Sequence, residues 1–205
     1  MAVDLVTITA LGSIAVAVTT AEAKTHMRVD HSTDDTYIDT LIDVATTQVQ
    51  AETGFKLLDQ AVELRADSFR DDGLLDPRNA DIMRLRVGPV SAVTSVKYDD
   101  GDDSEQTFSS SSYWEDILSV PGRVRVKTQW PETRDKIAAV RVRLQVGYAT
   151  ASVVPEHFKL AVKLLVGHWY ENREEVSELS LAPIPRGVSS ILEARPEYHF
   201  YVMGV

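Results

Sequence analysis

The sequence contains no cysteine among its 205 residues. This absence excludes disulfide bonds, thiolate zinc sites and cysteine nucleophiles. The sequence also lacks a glycine-rich phosphate loop, a GxSxG nucleophile elbow and an HExxH zinc motif. None of its five histidines lies four residues from another, the spacing that places two ligands on one helix face. We therefore predict that the protein is not an enzyme, and we expect no catalytic residue, no metal site and no cofactor.

Long apolar runs are also missing. No run approaches the roughly 20 residues that a membrane-spanning helix requires, so no membrane partner is expected. The apolar stretch at residues 11–23 resembles the core of a signal peptide. The six residues at the start of the chain, however, carry Asp4 and no lysine or arginine, whereas a signal peptide begins with positive charge. We interpret the stretch as part of the folded chain.

Positive charge is in deficit. The chain has 31 acidic and 21 basic residues, for a formal net charge of −10. An acidic chain repels nucleic-acid phosphates at long range, so we expect no specific binding to DNA. The sign suits a wall that DNA slides past, and it equally suits an ordinary acidic globular protein. Charge alone leaves both interpretations open.

The acidic run at residues 99–103 is the best candidate for a cation site. A calcium loop needs alternating ligands, a central glycine and a distant bidentate glutamate. Here the acids are paired around Gly101, and Glu105 lies too near. We predict a solvated hairpin turn instead.

Capping patterns and helical spacing predict four helices. Thr19 with Glu22 is a capping box that starts a helix running to about residue 28. Ser32 with Asp35 is a second capping pattern, which predicts a helix over about 33–53 with Gly54 as its stop. Apolar spacing predicts a third helix over about 155–172 and a short one over about 188–194.

The segment between the second and third helices has strand character. Apolar residues alternate with charged ones, as in VRVRLQV at residues 140–146, and Gly, Pro and Asp clusters separate these runs. This pattern predicts an antiparallel sheet with one solvated face, on which basic side chains lie opposite acidic ones.

The predicted fold class is therefore α+β. We expect a helical body, with three longer helices plus a short C-terminal helix, an inserted antiparallel β block and an extended C-terminal tail. The predicted boundaries are 1–57 for the N-terminal strand and helices, 58–150 for the β insertion, 151–195 for the C-terminal helices and 196–205 for the tail.

Seven strings resemble, in order, those of the phage head–tail connector (adaptor or head completion) family of siphophages and gene transfer agents. Each string is short, but together they extend from about residue 18 almost to the end of the chain. They are residues 22–35 (EAKTHMRVDHSTDD), 38–58, 86–98 (RVGPVSAVTSVKY), 130–131 (WP), 140–155, 161–173 (AVKLLVGHWYENR) and 185–195.

The resemblance implies a structural virion component. Members form a ring, a dodecamer matching the portal, between the portal protein and the stopper or tail proteins. The ring extends the DNA channel and provides the attachment surface for the rest of the neck. The implied location is the virion neck, with the host cytoplasm during assembly. The family has no catalytic residues or cofactor to carry over.

Two sets of residues are candidates for contacts in such a ring. The aromatic tail is the expected portal-binding segment, because aromatic side chains in an extended peptide are common anchors on a partner surface. Its candidate residues are Arg195, Tyr198, Phe200, Tyr201 and Val202. The candidate subunit-interface residues are Lys24, Arg28, Glu171 and Arg173.

Each set also has a simpler interpretation. In this interpretation the tail folds back onto its own domain, and Lys24 and Arg28 pair with local acids or are solvated. Trp169 then belongs to the core, and the residues after it cap the end of the helix. At the level of the whole protein, one alternative is a stopper or tail-terminator protein, a class that is mainly β. The other is a small acidic hydrolase, for which a screen for metal-dependent activity would be the test.

Overall fold

A computed structural model describes residues 7–10, 16–70, 74–172 and 186–193. The chain divides into two compact units, each assembled from two separate segments. The β unit comprises Met1–Ser13 and Asp59–Gly147, and the helical unit comprises Ile14–Leu58 and Tyr148–Val205. The helical unit is therefore interrupted in sequence by a β insertion, and the observed α+β architecture confirms the predicted fold class.

The helical unit contains α1 (Thr20–Met27), α2 (Asp35–Thr53), α3 (Glu156–Glu171) and α4 (Arg186–Glu193). The first of these begins at the predicted capping box. The Thr19 hydroxyl accepts from the amide of Glu22, whose carboxylate accepts from the Thr19 amide at 2.7 Å. The helix stops at Arg28, which adopts the left-handed conformation with φ 59°. Among the described helices, none combines the length and apolar character needed to cross a bilayer.

The start of α2 differs from the prediction. We expected a cap at Ser32, but the helix begins at Asp35, and the preceding Asp34 makes no side-chain capping bond. The Asp34 carboxylate instead accepts a hydrogen bond from the Tyr170 hydroxyl of α3 at 2.7 Å, so a tertiary contact lies at the start of α2. The end agrees with the prediction, since Gly54 follows the last turn with φ 70°.

The core of the helical unit forms where α2 packs against α3. The expected stripes are buried, and they consist of Ile38, Leu41, Ile42, Ala45 and Val49 on α2 and Phe158, Ala161, Val162 and Leu165 on α3. An aromatic contact between Phe55 and Phe158, with ring centroids 5.4 Å apart, extends the same interface. Trp169 is only partly buried, so the expected core position of this residue is met in part.

The β unit contains nine described strands in two antiparallel sheets. The strands are β1 (Thr7–Ala10), β2 (Gln60–Ala66), β3 (Leu75–Asp76), β4 (Asn79–Leu85), β5 (Val90–Asp99), β6 (Glu105–Phe108), β7 (Tyr113–Asp116), β8 (Gly122–Val126) and β9 (Val140–Val146). The five-stranded sheet has the order β1-β2-β9-β5-β6, and the four-stranded sheet has the order β3-β4-β8-β7. The sequence predicted one sheet, whereas buried residues of two sheets share one core.

The N-terminal strand completes the five-stranded sheet. We grouped the predicted N-terminal strand with the helical body. Instead β1 pairs antiparallel with β2, with Thr7 opposite Arg65 and Ala10 opposite Val62. It belongs to the sheet because its main chain hydrogen-bonds the outer edge of β2, a pairing that side-chain periodicity does not encode.

Aromatic side chains fill the centre of the β unit. Phe69 stacks on Trp130 with ring centroids 5.0 Å apart, and Phe108 lies 5.7 Å from the same indole. The buried indole N–H donates to the main-chain oxygen of Ala80 at 3.0 Å, so the polar atom of this ring is satisfied. The cluster joins the segments that follow β2 and β8, which carry Phe69 and Trp130, to strands β4 and β6.

Candidate functional site

The solvated face of the five-stranded sheet carries paired charges. Glu63 on β2 is buried, and its two carboxylate oxygens accept from Nε of Arg65 and Nε of Arg143, each at 2.7 Å. Arg143 lies directly opposite Glu63 in the register of β9. Burial raises the pKa of Glu63, but the hydrogen bonds and charges of the two guanidinium groups outweigh it and leave this pKa lowered. The predicted pairing of basic and acidic neighbours across strands is confirmed here.

A second charged cluster closes the β5–β6 hairpin. Arg141 holds both carboxylate oxygens of Asp99, at 2.6 and 2.9 Å, and Lys136 adds a third contact at 2.8 Å. The hydrogen bonds from Arg141, then from Lys136, hold the pKa of Asp99 far below its ordinary value. Lys136 also contacts Asp103 at 2.6 Å. The contacts of Lys136 therefore join the loop between β8 and β9 to the β5–β6 hairpin.

The predicted turn is present at residues 100–104, but Asp99 is not part of it, because this residue is buried and ends β5. The Asp100 carboxylate accepts from the amides of Asp102 and Ser104, both at 3.0 Å. These internal bonds use the carboxylate as a turn-forming group. Within the part of the chain that the structure describes, no group of three potential metal ligands converges.

The four-stranded sheet exposes an aromatic surface, which we call the Trp114 face, formed by Ile82, Trp114, Arg123 and Arg125. Arg125 on β8 lies opposite Ile82 of β4 on one side and Trp114 of β7 on the other. The indole is 56% exposed, which is high for tryptophan. The face lines a shallow concavity of about 350 Å³ together with Glu115 and Asp116. An exposed tryptophan beside arginine is the composition of binding hot spots.

The basic side chains around this concavity differ in whether they have a partner. Arg123 pairs with Asp116, whose pKa is lowered to about 2, first by the hydrogen bond from Ser119 and then by that from Arg123. The Lys127 ammonium lies 5.4 Å from the Trp114 ring centroid and donates to a main-chain oxygen. For Arg125, the described residues provide no carboxylate partner. An apolar surface with an uncompensated guanidinium suits an acidic partner.

Three of the four predicted subunit-interface residues, Lys24, Arg28 and Glu171, lie in the described part of the helical unit. Lys24 binds Asp35 at 2.7 Å, so it pairs with a local acid of its own chain. Arg28 and Glu171, which end α1 and α3, are exposed. Both helix ends lie beside the start of α2, where the Asp34–Tyr170 hydrogen bond joins α2 to α3. Arg173 lies outside the described residues.

The predicted portal-binding residues also lie outside the described residues. These are Arg195, Tyr198, Phe200, Tyr201 and Val202. In contrast, the Trp114 face was not among the predicted sites. Alternation in residues 122–127 places Arg123, Arg125 and Lys127 outward, but no local signal shows that the tryptophan of the adjacent strand lies on the same exposed surface.

Comparisons with known proteins agree with this architecture. The profile of a family described as head completion protein matches residues 17–180. A chain in the neck of an empty gene transfer agent particle, computed with C6 symmetry, has a TM-score of 0.71 at 19% identity, covering 92% of this chain and 94% of that chain. A chain in the virion of a native gene transfer agent particle gives 0.72 at 20% identity, with coverages of 91% and 93%.

A third structure is the neck of a native gene transfer agent particle computed with C12 symmetry. The TM-score is 0.67 at 19% identity, covering 92% of this chain and 93% of that chain. At these identities the likeness establishes a shared fold that includes both units. Curated protein sequences give no match.

Proposed function

The chain belongs to the head completion protein family, and from this premise we propose that it is a structural subunit of the neck of a tailed phage or phage-like particle. The family match over residues 17–180 carries the proposal, because it spans the helical unit and the whole β insertion. The shared fold with chains of gene transfer agent particles supports the same location.

We propose that the subunits form a closed ring on the portal. The solved necks that contain similar chains were computed with C6 and C12 symmetry, and a dodecamer is compatible with both. The ring extends the DNA channel and offers the surface on which the stopper or tail proteins assemble. In the helical unit, we propose that Arg28 and Glu171, with Arg173, contribute to contacts between neighbours. Lys24 contributes indirectly, by holding the start of α2.

We propose that residues 195–205 bind the portal. Tyr198, Phe200 and Tyr201 would supply apolar anchors for a groove or sheet edge of the partner. Deleting these residues should abolish portal binding while leaving the melting temperature nearly unchanged. Undiminished portal binding by the truncated protein would contradict this assignment.

The net charge of −10 supports a channel that DNA passes without binding. The expected result of a duplex-DNA titration at moderate salt is no binding at micromolar protein. Salt-sensitive binding at micromolar or tighter affinity would contradict a low-friction channel.

A loss-of-function experiment tests the role in the neck. In the system that encodes this protein, removing its gene should yield heads and tails that accumulate separately, and supplying the protein in trans should restore joined particles. A stopper or tail-terminator role is the alternative, and it predicts that the protein binds a preformed connector rather than the bare portal. Normal yields of joined particles without the gene would contradict both roles.

A further inference from the structure

Among the described residues of the β unit, none covers the indole of the Trp114 face. Trp114 is largely exposed, Ile82 borders it across β8, and Arg125 between them has no carboxylate partner among the described residues. Desolvating an indole next to a guanidinium favours a partner that presents an apolar side chain and a carboxylate together. The occupant should therefore be acidic around a small apolar centre.

The exposed side of α2 has this composition. We define the α2 face by Asp39, Asp43 and Val44. Val44 is 50% exposed, and among the described residues none forms an ion pair with the neighbouring Asp43 carboxylate. Asp39 accepts a hydrogen bond from Thr20, which fixes its carboxylate on the same surface. Residues 29–55 contain six acidic residues and no lysine or arginine, and of these six Asp35 pairs with Lys24 of α1.

We infer that the Trp114 face of one copy docks on the α2 face of the next copy, with Arg125 pairing with Asp43 and Trp114 covering Val44. A closed ring of more than two identical subunits requires a head-to-tail interface between two different patches. The two faces are such a pair. Among the described residues, Arg125 has no carboxylate partner and lies beside an exposed aromatic ring, and Asp43 has no ion-pair partner and lies beside an exposed aliphatic residue. This inference rests on the proposed ring and assigns its subunit contact.

Cysteine cross-linking tests the contact directly, because the natural chain has no cysteine to give background. The double variant Arg125→Cys with Asp43→Cys is assembled on the cognate portal and oxidised. Each copy then offers one thiol to each neighbour, so a ladder of covalent multimers up to the full ring is expected on a denaturing gel. Each single variant should give no ladder. The control Arg125→Cys with Ser152→Cys, also at an exposed residue, should give none.

Charge reversal gives an independent readout on rings counted by electron microscopy. Arg125→Glu and Asp43→Arg should each reduce the fraction of portals that carry a ring at least tenfold, because each places like charges opposite one another. The double variant, which restores the pair in the reversed sense, should recover most of that fraction. Single variants that assemble normally, or a double variant no better than the singles, would overturn the assigned contact.

The outcomes separate this inference from the proposed function. Wild-type rings on the portal, without a cross-linked ladder and without rescue by the double variant, would overturn the contact and leave the neck role standing. An acidic face other than α2, or a tail protein, would then be the occupant of the Trp114 face. The absence of any wild-type ring would overturn both the contact and the proposed ring.

Discussion

Replacing Arg141 by methionine should destabilise the β unit far more than the same replacement at Arg123. The Asp99 side chain is only 6% exposed and receives two hydrogen bonds from Arg141, whereas the Asp116 side chain that Arg123 binds is 40% exposed. Methionine keeps most of the aliphatic volume, so the comparison isolates the guanidinium group.

The magnitude follows from what each carboxylate keeps. In Arg141→Met, Asp99 loses two charge-assisted bonds, worth about 1.5–3 kcal/mol each, and retains Lys136 at 2.8 Å. Because the Arg141 side chain is itself 21% exposed, water replaces part of the loss, and we expect about 2–3 kcal/mol. Arg123→Met breaks an exposed pair, for which we expect less than about 1 kcal/mol.

Urea unfolding followed by tryptophan fluorescence measures both variants. The background Trp114→Phe with Trp169→Phe leaves Trp130, which lies in the core of the β unit, as the reporter. The free energy of unfolding of each variant is compared with that of the background, with the same dependence on urea concentration (m-value) for both. Equal losses of unfolding free energy in Arg141→Met and Arg123→Met would show that burial of the carboxylate does not set the cost of removing its partner.

The pH dependence supplies a second test of the same ion pair. The pKa of Asp99 is lower in the folded protein than in the unfolded chain, where it is about 3.9. The contribution of the ionised carboxylate to the free energy of unfolding is therefore fully present above a pH of about 3.9 and is lost as the pH falls toward the pKa of the folded state. The stability difference between the background and Arg141→Met should therefore shrink as the pH is lowered below about 4. A difference that stays constant down to pH 2 would contradict the assignment.

Three further predictions concern individual side chains. Glu63→Gln leaves two arginines without their shared carboxylate and should cost about 1–2 kcal/mol in urea unfolding of the β unit; no loss would show that water replaces the carboxylate fully. Thr19→Ala removes the capping box and should cost about 1 kcal/mol, seen as faster amide exchange in α1, while unchanged exchange would contradict the cap. Tyr170→Phe removes the bond to Asp34 and should cost about 1 kcal/mol by thermal unfolding, and a neutral result would mean that this bond does not set the start of α2.

Local patterns predicted the elements whose determinants are local. The stripe of α2, the Thr19 cap and the Gly54 stop follow from helical period and backbone chemistry, and the structure has all three. The strand at residues 140–146 follows from strict alternation. The expected cap at Ser32 is wrong, since α2 begins at Asp35, and the contact at its start, between Asp34 and Tyr170, joins residues 136 positions apart and is not visible to a local pattern.

Local sequence patterns do not predict which strands pair or which side chains of the assembled sheets are exposed. Alternation shows which side of a strand is buried, but not which strands share a sheet, so two sheets were predicted as one. The pairing of β1 with β2 depends on a main-chain edge rather than on side chains. Trp114 was missed because aromatic residues are usually buried, and only the assembled sheet shows that this one lies outward beside Arg125.

The most direct test of the neck assignment is electron microscopy of the purified protein mixed with its cognate portal. The expected result is a ring stacked on the narrow end of the portal, with the symmetry of the portal and an open central channel. The absence of any complex at high concentration of both proteins would contradict it.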